Sequence, residues 1–202
     1  MTGRAVAYLE RVMLKTLKVG LLLAAGFASI AGPALALETT VTKVDKNTDG
    51  TMTYHFTIKV EQGETLTPDA SKDAGDFVTV YNFYGLVDGS VKSPAGWEFT
   101  SEEFGRTPRS NGYPLVAPLD VPGTPNLTWT ATKAVAARTQ IEGFSATTRV
   151  GTIVQGQYSA QVSRQMPAIQ GAEAGSPNAA AMSAKQALIG TLPLPSFLAE
   201  VK

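Results

Sequence analysis

The sequence predicts an all-β fold: an antiparallel β-sandwich, immunoglobulin-like or jelly roll, with a flexible Ala/Gly/Pro-rich C-terminal tail. Three observations support this prediction. Short segments carry apolar residues at every second position, turn-forming residues separate them, and charged residues make up only 17% of the chain. No convincing helical pattern lies between the segments, which argues against an α/β sheet. A closed barrel is the structural alternative.

Residues 1–36 have the organisation of a secretory signal peptide. Basic residues precede an apolar block over 19–30, and the triplet Ala34-Leu35-Ala36 supplies a small-x-small cleavage site. The apolar block is shorter than the roughly 20 residues that a bilayer-spanning helix needs. We therefore expect a mature chain that begins at Leu37, is periplasmic or secreted, and contains no membrane span.

Charge and cysteine content exclude several classes of function. Without the four basic and one acidic side chains of the first 36 residues, the 17 basic and 17 acidic side chains become 13 and 16, a net charge of about −3. Such a chain has no positive field to attract nucleic acid. The absence of cysteine and the single histidine exclude thiolate nucleophiles, cysteine zinc sites and histidine clusters.

The first half of the mature chain contains the clearest strands. Residues 38–44 are β-branched and alternating, and residues 45–50 are rich in turn formers, so a hairpin is expected there. Residues 51–60 alternate throughout, with one face apolar and His55 on the other. Residues 77–83 are apolar on both faces, which predicts a central strand covered on both sides.

The second half begins with a region that is difficult to place in a sheet. A short strand is expected at 96–99, but five prolines between Arg106 and Pro125 exclude a central strand and predict a long surface connection. Alternation resumes over 126–132. Residues 141–150 and 157–165 form a last pair of strands, either a hairpin or a crossover pair.

The predicted domain boundaries follow from these segments. The signal peptide covers 1–36 and the sandwich domain 37–165. Residues 166–202 are rich in Ala, Gly, Pro and Ser, which predicts a low-complexity tail without further strands. Residues 179–189 could form a short helix that the following prolines end.

Four segments also suggest a resemblance. They are Asp76 to Phe83, Gly89-Ser90, Pro94 to Trp97, and Pro125 to Thr130. Over roughly residues 44–161 their layout resembles uncharacterised exported bacterial β-rich proteins, many of which end in a PEP-CTERM sorting tail. The residues after 192 lack the spanning helix and basic cluster of such a tail. The resemblance implies an exported β-domain and no activity.

The hairpin turn at 45–50 contains half of a calcium-loop motif. Asp45, Asn47 and Asp49 occupy oxygen-ligand positions one, three and five, and Gly50 occupies position six. Position twelve is Phe56 where a bidentate Glu is needed. Because Asn, Asp and Gly also favour turns by themselves, a bare hairpin turn is the favoured interpretation. Calcium at these three residues is the alternative, and no other cofactor is expected.

Catalytic arrangements are weak in this sequence. His55 should be a surface strand residue, and no Gly-x-Ser-x-Gly elbow presents a nucleophile to it. Glu102 and Glu103 are adjacent and so point to opposite faces of a strand. Asp73 and Asp76 are best explained as solvating charges in a loop. We therefore expect a protein that is not an enzyme, with a hydrolase as a remote alternative.

Aromatic residues in turn-rich segments give the one positive functional indication. Tyr84, Trp97, Phe104 and Tyr113 lie there, whereas Trp129 alternates with core positions. Exposed aromatic rings stack on sugars and anchor protein partners. The sequence thus predicts a non-enzymatic exported β-sandwich that acts through its surface in a cell-surface, periplasmic or extracellular-matrix setting. Its alternative is a carbohydrate-binding module using Trp97 with Tyr84 or Tyr113, and the glycan or protein partner is not identified.

Overall fold

The structure is a computed structural model that describes residues 37–68, 75–110, 113–114, 118, 120–166 and 182–197. Within them the chain forms eleven β-strands and no helix. The predicted signal peptide and most of the low-complexity stretch after Met166 lie outside the described residues. In chain order the strands are β1 (Glu38–Lys46), β2 (Met52–Lys59), β3 (Glu64–Thr65), β4 (Phe77–Val80), β5 (Trp97–Glu102), β6 (Arg109–Ser110), β7 (Tyr113–Pro114), β8 (Asn126–Ala131), β9 (Gln140–Thr148), β10 (Ile153–Met166) and β11 (Met182–Pro195).

Two antiparallel sheets pack together, which confirms the predicted β-sandwich. The smaller sheet has the order β1-β2-β9, and the larger has the order β11-β10-β4-β8-β5, with β3 also paired to β10. Strands β6 and β7 form a separate two-stranded hairpin. As predicted, β4 is central, and all four of its residues are buried. Strands β9 and β10 pair with different sheets, so the crossover interpretation of the last predicted pair is correct.

The core lies between the two sheets and follows the two-residue periodicity of the strands. Residues at alternate positions point to the same face, so each strand contributes a row of apolar side chains. Trp129 is 1% exposed and its ring contacts three other aromatic rings, those of Phe56, Phe99 and Phe144. The buried apolar residues of the facing strands include Tyr54, Phe56, Ile58, Val78, Val80, Leu127, Trp129, Phe144, Ala146, Ala160 and Val162.

The opposite face of the larger sheet is also buried, although it is largely polar. Thr79 hydrogen-bonds Thr128 at 2.9 Å, and the Tyr81 hydroxyl hydrogen-bonds Ser159 at 2.9 Å. Residues 105–110, hereafter the covering segment, lie over this face. Tyr81 donates to the carbonyl of Arg106 at 2.8 Å, and Gln161 accepts from the backbone N–H of Arg109 at 2.9 Å. The proline-rich connection therefore forms a partial third layer.

The covering segment approaches the sheet closely. A Cβ atom at Gly105 would lie 2.2 Å from the Tyr81 ring, so only glycine fits there. The guanidinium of Arg106 lies 5.0 Å from the centre of the Phe77 ring and donates to Thr130 at 3.1 Å. These contacts satisfy polar groups that the covering segment removes from water.

The C-terminal prediction is wrong in two respects. The sheet does not end near Gln165, and residues 182–189 are not helical, because Met182–Pro195 pairs with β10 along its whole length. Pairing outweighs the helix propensity of Ala, Lys, Gln and Leu in this segment. Pro193 and Pro195 occur two residues apart in the last part of the strand, where an edge strand tolerates missing N–H groups.

A close aromatic contact fixes β11 against β10. Tyr158 is directly opposite Gly190, and a Cβ atom at Gly190 would lie 2.4 Å from the Tyr158 ring. The glycine therefore leaves room for the tyrosine to lie across the edge strand. The Tyr158 hydroxyl also accepts from the backbone N–H of Thr39 at 3.3 Å, which ties β10 to the first strand of the other sheet.

Candidate ligand-binding cleft

The strongest candidate site is a cleft of 370 Å³ where β10 begins and β11 ends. Residues 155, 157, 159 and 161 of β10 share one face because side chains alternate along a strand. Ser159 and Gln161 are buried beneath the covering segment, whereas Gln155 and Gln157 are exposed. The cleft therefore lies where this polar face emerges into solvent.

Tyr84 lines the cleft and is held by a well-connected loop. The backbone N–H of Asn82 donates to Asn126 at 2.8 Å, and the side-chain oxygen of Asn82 accepts from the N–H of Val121 at 2.7 Å. The carbonyl of Tyr84 accepts from the Thr148 hydroxyl at 2.5 Å. These bonds fix the backbone on which the Tyr84 ring is carried.

A second aromatic ring lies beside Tyr84. Phe197 packs edge-to-face against it with ring centres 5.6 Å apart, and 71% of Phe197 is exposed. Exposure of a large apolar ring next to a cleft is a feature of binding surfaces rather than of cores. Phe197 lies two residues beyond the end of β11, so its position depends on the strand that the sequence did not reveal.

Hydrogen-bonding groups line the cleft beside these rings. The side chains of Gln155, Gln157 and Thr191 line it, and Gln157 is directly opposite Thr191 in the β10–β11 pair. Within the described residues, the side-chain amides of the two glutamines make no hydrogen bond. They are available to a ligand as both donors and acceptors.

None of the described residues that line the cleft carries a charge. Tyr81 also lines it, but its hydroxyl is engaged by Ser159 and Arg106, and burial raises its pKa to about 12. A neighbouring cavity of 570 Å³ shares Gln155 and Thr191 with the cleft and includes one charged residue, Glu38. The cleft itself therefore suits a neutral polar ligand better than an ion or a phosphate.

The predicted aromatic residues have different positions in the structure. Tyr84 lies in the cleft, whereas Trp97, which the carbohydrate-binding alternative placed on an exposed platform, is buried. Trp97 is 8% exposed and packs against Phe144 at 4.9 Å, because it begins a strand whose inward positions face the core. Tyr113 is in the β6–β7 hairpin, and its side chain lies outside the described residues. Phe104 is 68% exposed but does not line the cleft.

Each side chain of the calcium half-motif has a partner inside the hairpin. Asp45 contacts Lys43 at 2.8 Å, which lowers its pKa. Asn47 donates its amide to the hydroxyls of Thr51 and Thr53, and Asp49 accepts from Thr51. The hairpin geometry thus accounts for these residues without an ion, and calcium binding stays a prediction that calorimetric titration tests.

His55 does not belong to an assembled hydrolytic triad. Its Nε2 atom lies 3.0 Å from a carboxylate oxygen of Asp45, and Ser145 is its directly opposite neighbour on β9. Ser145 is buried and makes no hydrogen bond to His55. A nucleophile needs both contact with its base and access to substrate, and Ser145 has neither.

A buried cluster on β10 and β11 corrects the prediction that Asp76 is a solvating charge. Asp76 is 0% exposed and contacts Lys185 at 2.7 Å, and Ser163 donates to it at 2.7 Å. Lys185 also donates to Ser163 at 3.1 Å. A serine–lysine nucleophile needs a lysine free to act as base and a serine open to substrate, but Lys185 is paired with Asp76 and Ser163 is buried. The cluster ties β11 to the sheet.

Sequence reasoning found Tyr84 but missed the other cleft residues. Gln155 and Gln157 are at outward positions of an alternating strand, and this pattern was a usable signal. No local pattern identified Phe197, because its segment was predicted to be a low-complexity tail.

Other clusters and relatives give no further guidance. Among the described residues, no group of three or more His, Cys, Asp or Glu side chains could hold a metal ion. Nor does the described part of the chain include a helix long and apolar enough to cross a membrane. No protein-family model, curated protein or solved structure matches the chain.

Proposed function

We propose that this protein is an exported, non-enzymatic β-sandwich that acts by binding through its surface in a cell-surface, periplasmic or extracellular-matrix setting. The observation that carries the proposal is the uncharged cleft, in which Tyr84 lies beside free amide groups and packs against the exposed ring of Phe197 at the edge of the cleft. Such a surface can hold a neutral partner, and none of the described residues that line it is a carboxylate, a histidine or a lysine that could activate the hydroxyl groups of Tyr84, Thr191 and Ser196.

Export is supported by the organisation of the first 36 residues and by the start of the fold. Strand β1 begins at Glu38, two residues after the small-x-small triplet. The resemblance of residues 44–161 to exported bacterial β-rich proteins supports the same proposal. A cysteine-free sandwich of this size also needs no disulfide to be stable outside the cytoplasm.

Export is tested by producing the full chain in a bacterial host and measuring the protein in the periplasm and medium. We expect a product about 36 residues shorter than the precursor. Full-length protein that stays in the cytoplasm would contradict the proposal.

A neutral carbohydrate is the ligand class that the cleft favours. Sugar rings present apolar C–H faces to aromatic rings and hydroxyl groups to amides, and Tyr84, Phe197 and the two glutamines supply both kinds of contact. The carbohydrate-binding alternative therefore moves from Trp97, which is buried, to the pair formed by Tyr84 and Phe197.

The ligand class is tested with an array of neutral glycans and two single variants. We expect Tyr84→Ala and Phe197→Ala each to weaken binding about tenfold or more, because a stacked aromatic ring can supply a binding hot spot. Phe104→Ala is the matched control, since Phe104 is a comparably exposed ring outside the cleft.

Three array outcomes separate the alternatives. Binding that is lost in the two cleft variants and kept in the control supports the carbohydrate module. An array without any binding removes that alternative and leaves a protein partner. Binding that is unchanged by both cleft variants contradicts the assignment of the site.

A further inference from the structure

The first described residue makes a contact that is unusual for the start of a strand. The side chain of Leu37 is 0% exposed, and its backbone nitrogen lies 2.8 Å from a carboxylate oxygen of Glu64. Glu64 is on β3 and is itself 2% exposed. A buried carboxylate thus faces the nitrogen that follows the predicted cleavage site after Ala36.

Among the described residues no cation lies within ion-pair distance of Glu64, although Arg164 is directly opposite it on β10. Burial raises the pKa of Glu64, the N–H of Leu37 and the charge of Arg164 lower it, and the charge of Glu61 raises it. An amide N–H is a weak partner for a buried carboxylate, which is normally stabilised by a full positive charge.

The backbone at Leu37 is an independent sign of the same arrangement. Its φ angle is 26°, in the left-handed region that branched side chains rarely adopt. This angle is defined by the bond from Ala36, so it exists only while that peptide bond is intact. Hydrolysis of the bond would release the strain.

We propose that the fold is built to receive a new amino terminus at Leu37, whose α-ammonium group forms a buried ion pair with Glu64. The inference rests on the proposed export. A protease that accepts small side chains hydrolyses the Ala36–Leu37 bond. Water adds its hydroxyl to the Ala36 carbonyl carbon, the C–N bond breaks, and the released amine takes the other hydrogen and then a proton from solvent.

Cleavage has to precede folding, because Leu37 and Glu64 are both inaccessible in the folded protein. An exported chain is processed before it is folded, so the order is consistent. In the unprocessed chain, Glu64 faces the amide N–H of Leu37, and the backbone of Leu37 is strained. In the processed chain, Glu64 would face the charged α-ammonium group of Leu37, and that strain would be absent.

The first test uses the full chain and two properties of its exported product. Mass spectrometry should find Leu37 as the first residue. The α-amino group should also resist an amine-selective label up to a pH well above its ordinary pKa of about 7.7–8.0, because Glu64 stabilises its charge. Glu61 and Arg164 are the other charged groups that act on Glu64, and their effects oppose each other.

The second test is a double-mutant cycle of processing and Glu64→Gln. Cell-free translation of the full chain gives the unprocessed form, and export gives the processed form. Processing should raise the Tm by about 5 °C or more when Glu64 is present, and by at most about 2 °C after Glu64→Gln. An equal gain in both backgrounds would overturn the ion pair.

The outcomes separate this inference from the proposed function. An exported protein that begins at another residue, or at Leu37 with an ordinary α-amino pKa, overturns the inference and leaves export standing. A chain that is never exported contradicts the proposed function itself. The labelling measurement needs no variant, so it decides the matter even where Glu64→Gln prevents folding.

Discussion

The two faces of the larger sheet are both buried, but they are built from opposite kinds of residue. The inner face carries Val78, Leu127 and Trp129 and packs against the smaller sheet. The outer face carries Thr79, Thr128, Ser159 and Gln161, and these bond to each other and to the covering segment. Burial on the inner face needs only apolar neighbours, whereas burial on the outer face needs a partner for each polar atom.

This difference explains where the cleft lies. The outer face is stable under the covering segment because Tyr81, Ser159 and Gln161 find hydrogen-bond partners there. Beyond that segment the same row of side chains continues as Gln155 and Gln157, which are exposed and free to bind. One polar face thus supports the structure at one end and lines the candidate cleft at the other.

The largest expected loss of stability comes from a substitution on the inner face of the larger sheet. Trp129→Ala should lower the free energy of unfolding by about 3–5 kcal/mol, because it opens a cavity between the sheets. Urea unfolding followed by circular dichroism measures this loss. Phe104→Ala serves as the exposed control and should change stability by less than about 0.5 kcal/mol. Similar losses in the two variants would contradict the assignment of the core.

Loss of the ion pair between Lys185 and Asp76 should have the next largest effect on the free energy of unfolding. Lys185→Met leaves Asp76 without its cation and should cost about 2 kcal/mol, a value discounted because Lys185 is one-third exposed. Urea midpoints of Lys185→Met and wild type give this number. A variant as stable as wild type would show that β11 does not depend on the pair.

Asp76 should also make stability depend on pH. Burial raises its pKa above 3.8, although bonds from Lys185, Ser163 and Thr67 oppose the shift. At pH values between 3.8 and the pKa of Asp76 in the folded chain, the folded chain binds more protons than the unfolded chain. Stability from Asp76 is therefore fully present below about pH 4 and falls as pH rises through the folded pKa. Asp76→Asn should abolish this slope in urea titrations, and an unchanged slope would contradict the prediction.

A smaller loss of stability should follow when a hydrogen bond that holds the covering segment is removed. Tyr81→Phe removes the hydroxyl that bonds Arg106 and Ser159 and should cost about 1–2 kcal/mol. Limited proteolysis should then cut the connection between β5 and β8 faster. Tyr84→Phe is the control, and a variant whose cleavage rate matches that of Tyr84→Phe would show that the segment is held elsewhere.

The inner face could be predicted from the sequence because its signal is local. Alternation over residues 51–60 placed Tyr54 and Phe56 in the core, and apolar residues on both faces made β4 central. Each of these inferences uses only neighbours in the chain, since the period of a strand fixes which side chains share a face.

The outer face could not be predicted because its partners are distant in sequence. Asp76 is buried only because Lys185, 109 residues later, pairs with it. The strand at Met182–Pro195 forms only because β10 offers an edge, so its Ala-rich composition is misleading by itself. Four of the twelve described residues that line the cleft lie in that strand or directly after it, and Phe197 follows them, which is why Tyr84 was predicted and Phe197 was not.

The central claim is that the outer row of β10 divides into a buried half that supports the fold and an exposed half that lines the candidate cleft. The most direct test compares Gln161→Ala with Gln157→Ala in urea unfolding. Gln161 bonds Arg109 and Gly75 beneath the covering segment, so its loss should cost about 1 kcal/mol, whereas loss of Gln157 should cost less than about 0.5 kcal/mol. Equal losses, or a larger loss for Gln157, would contradict the division.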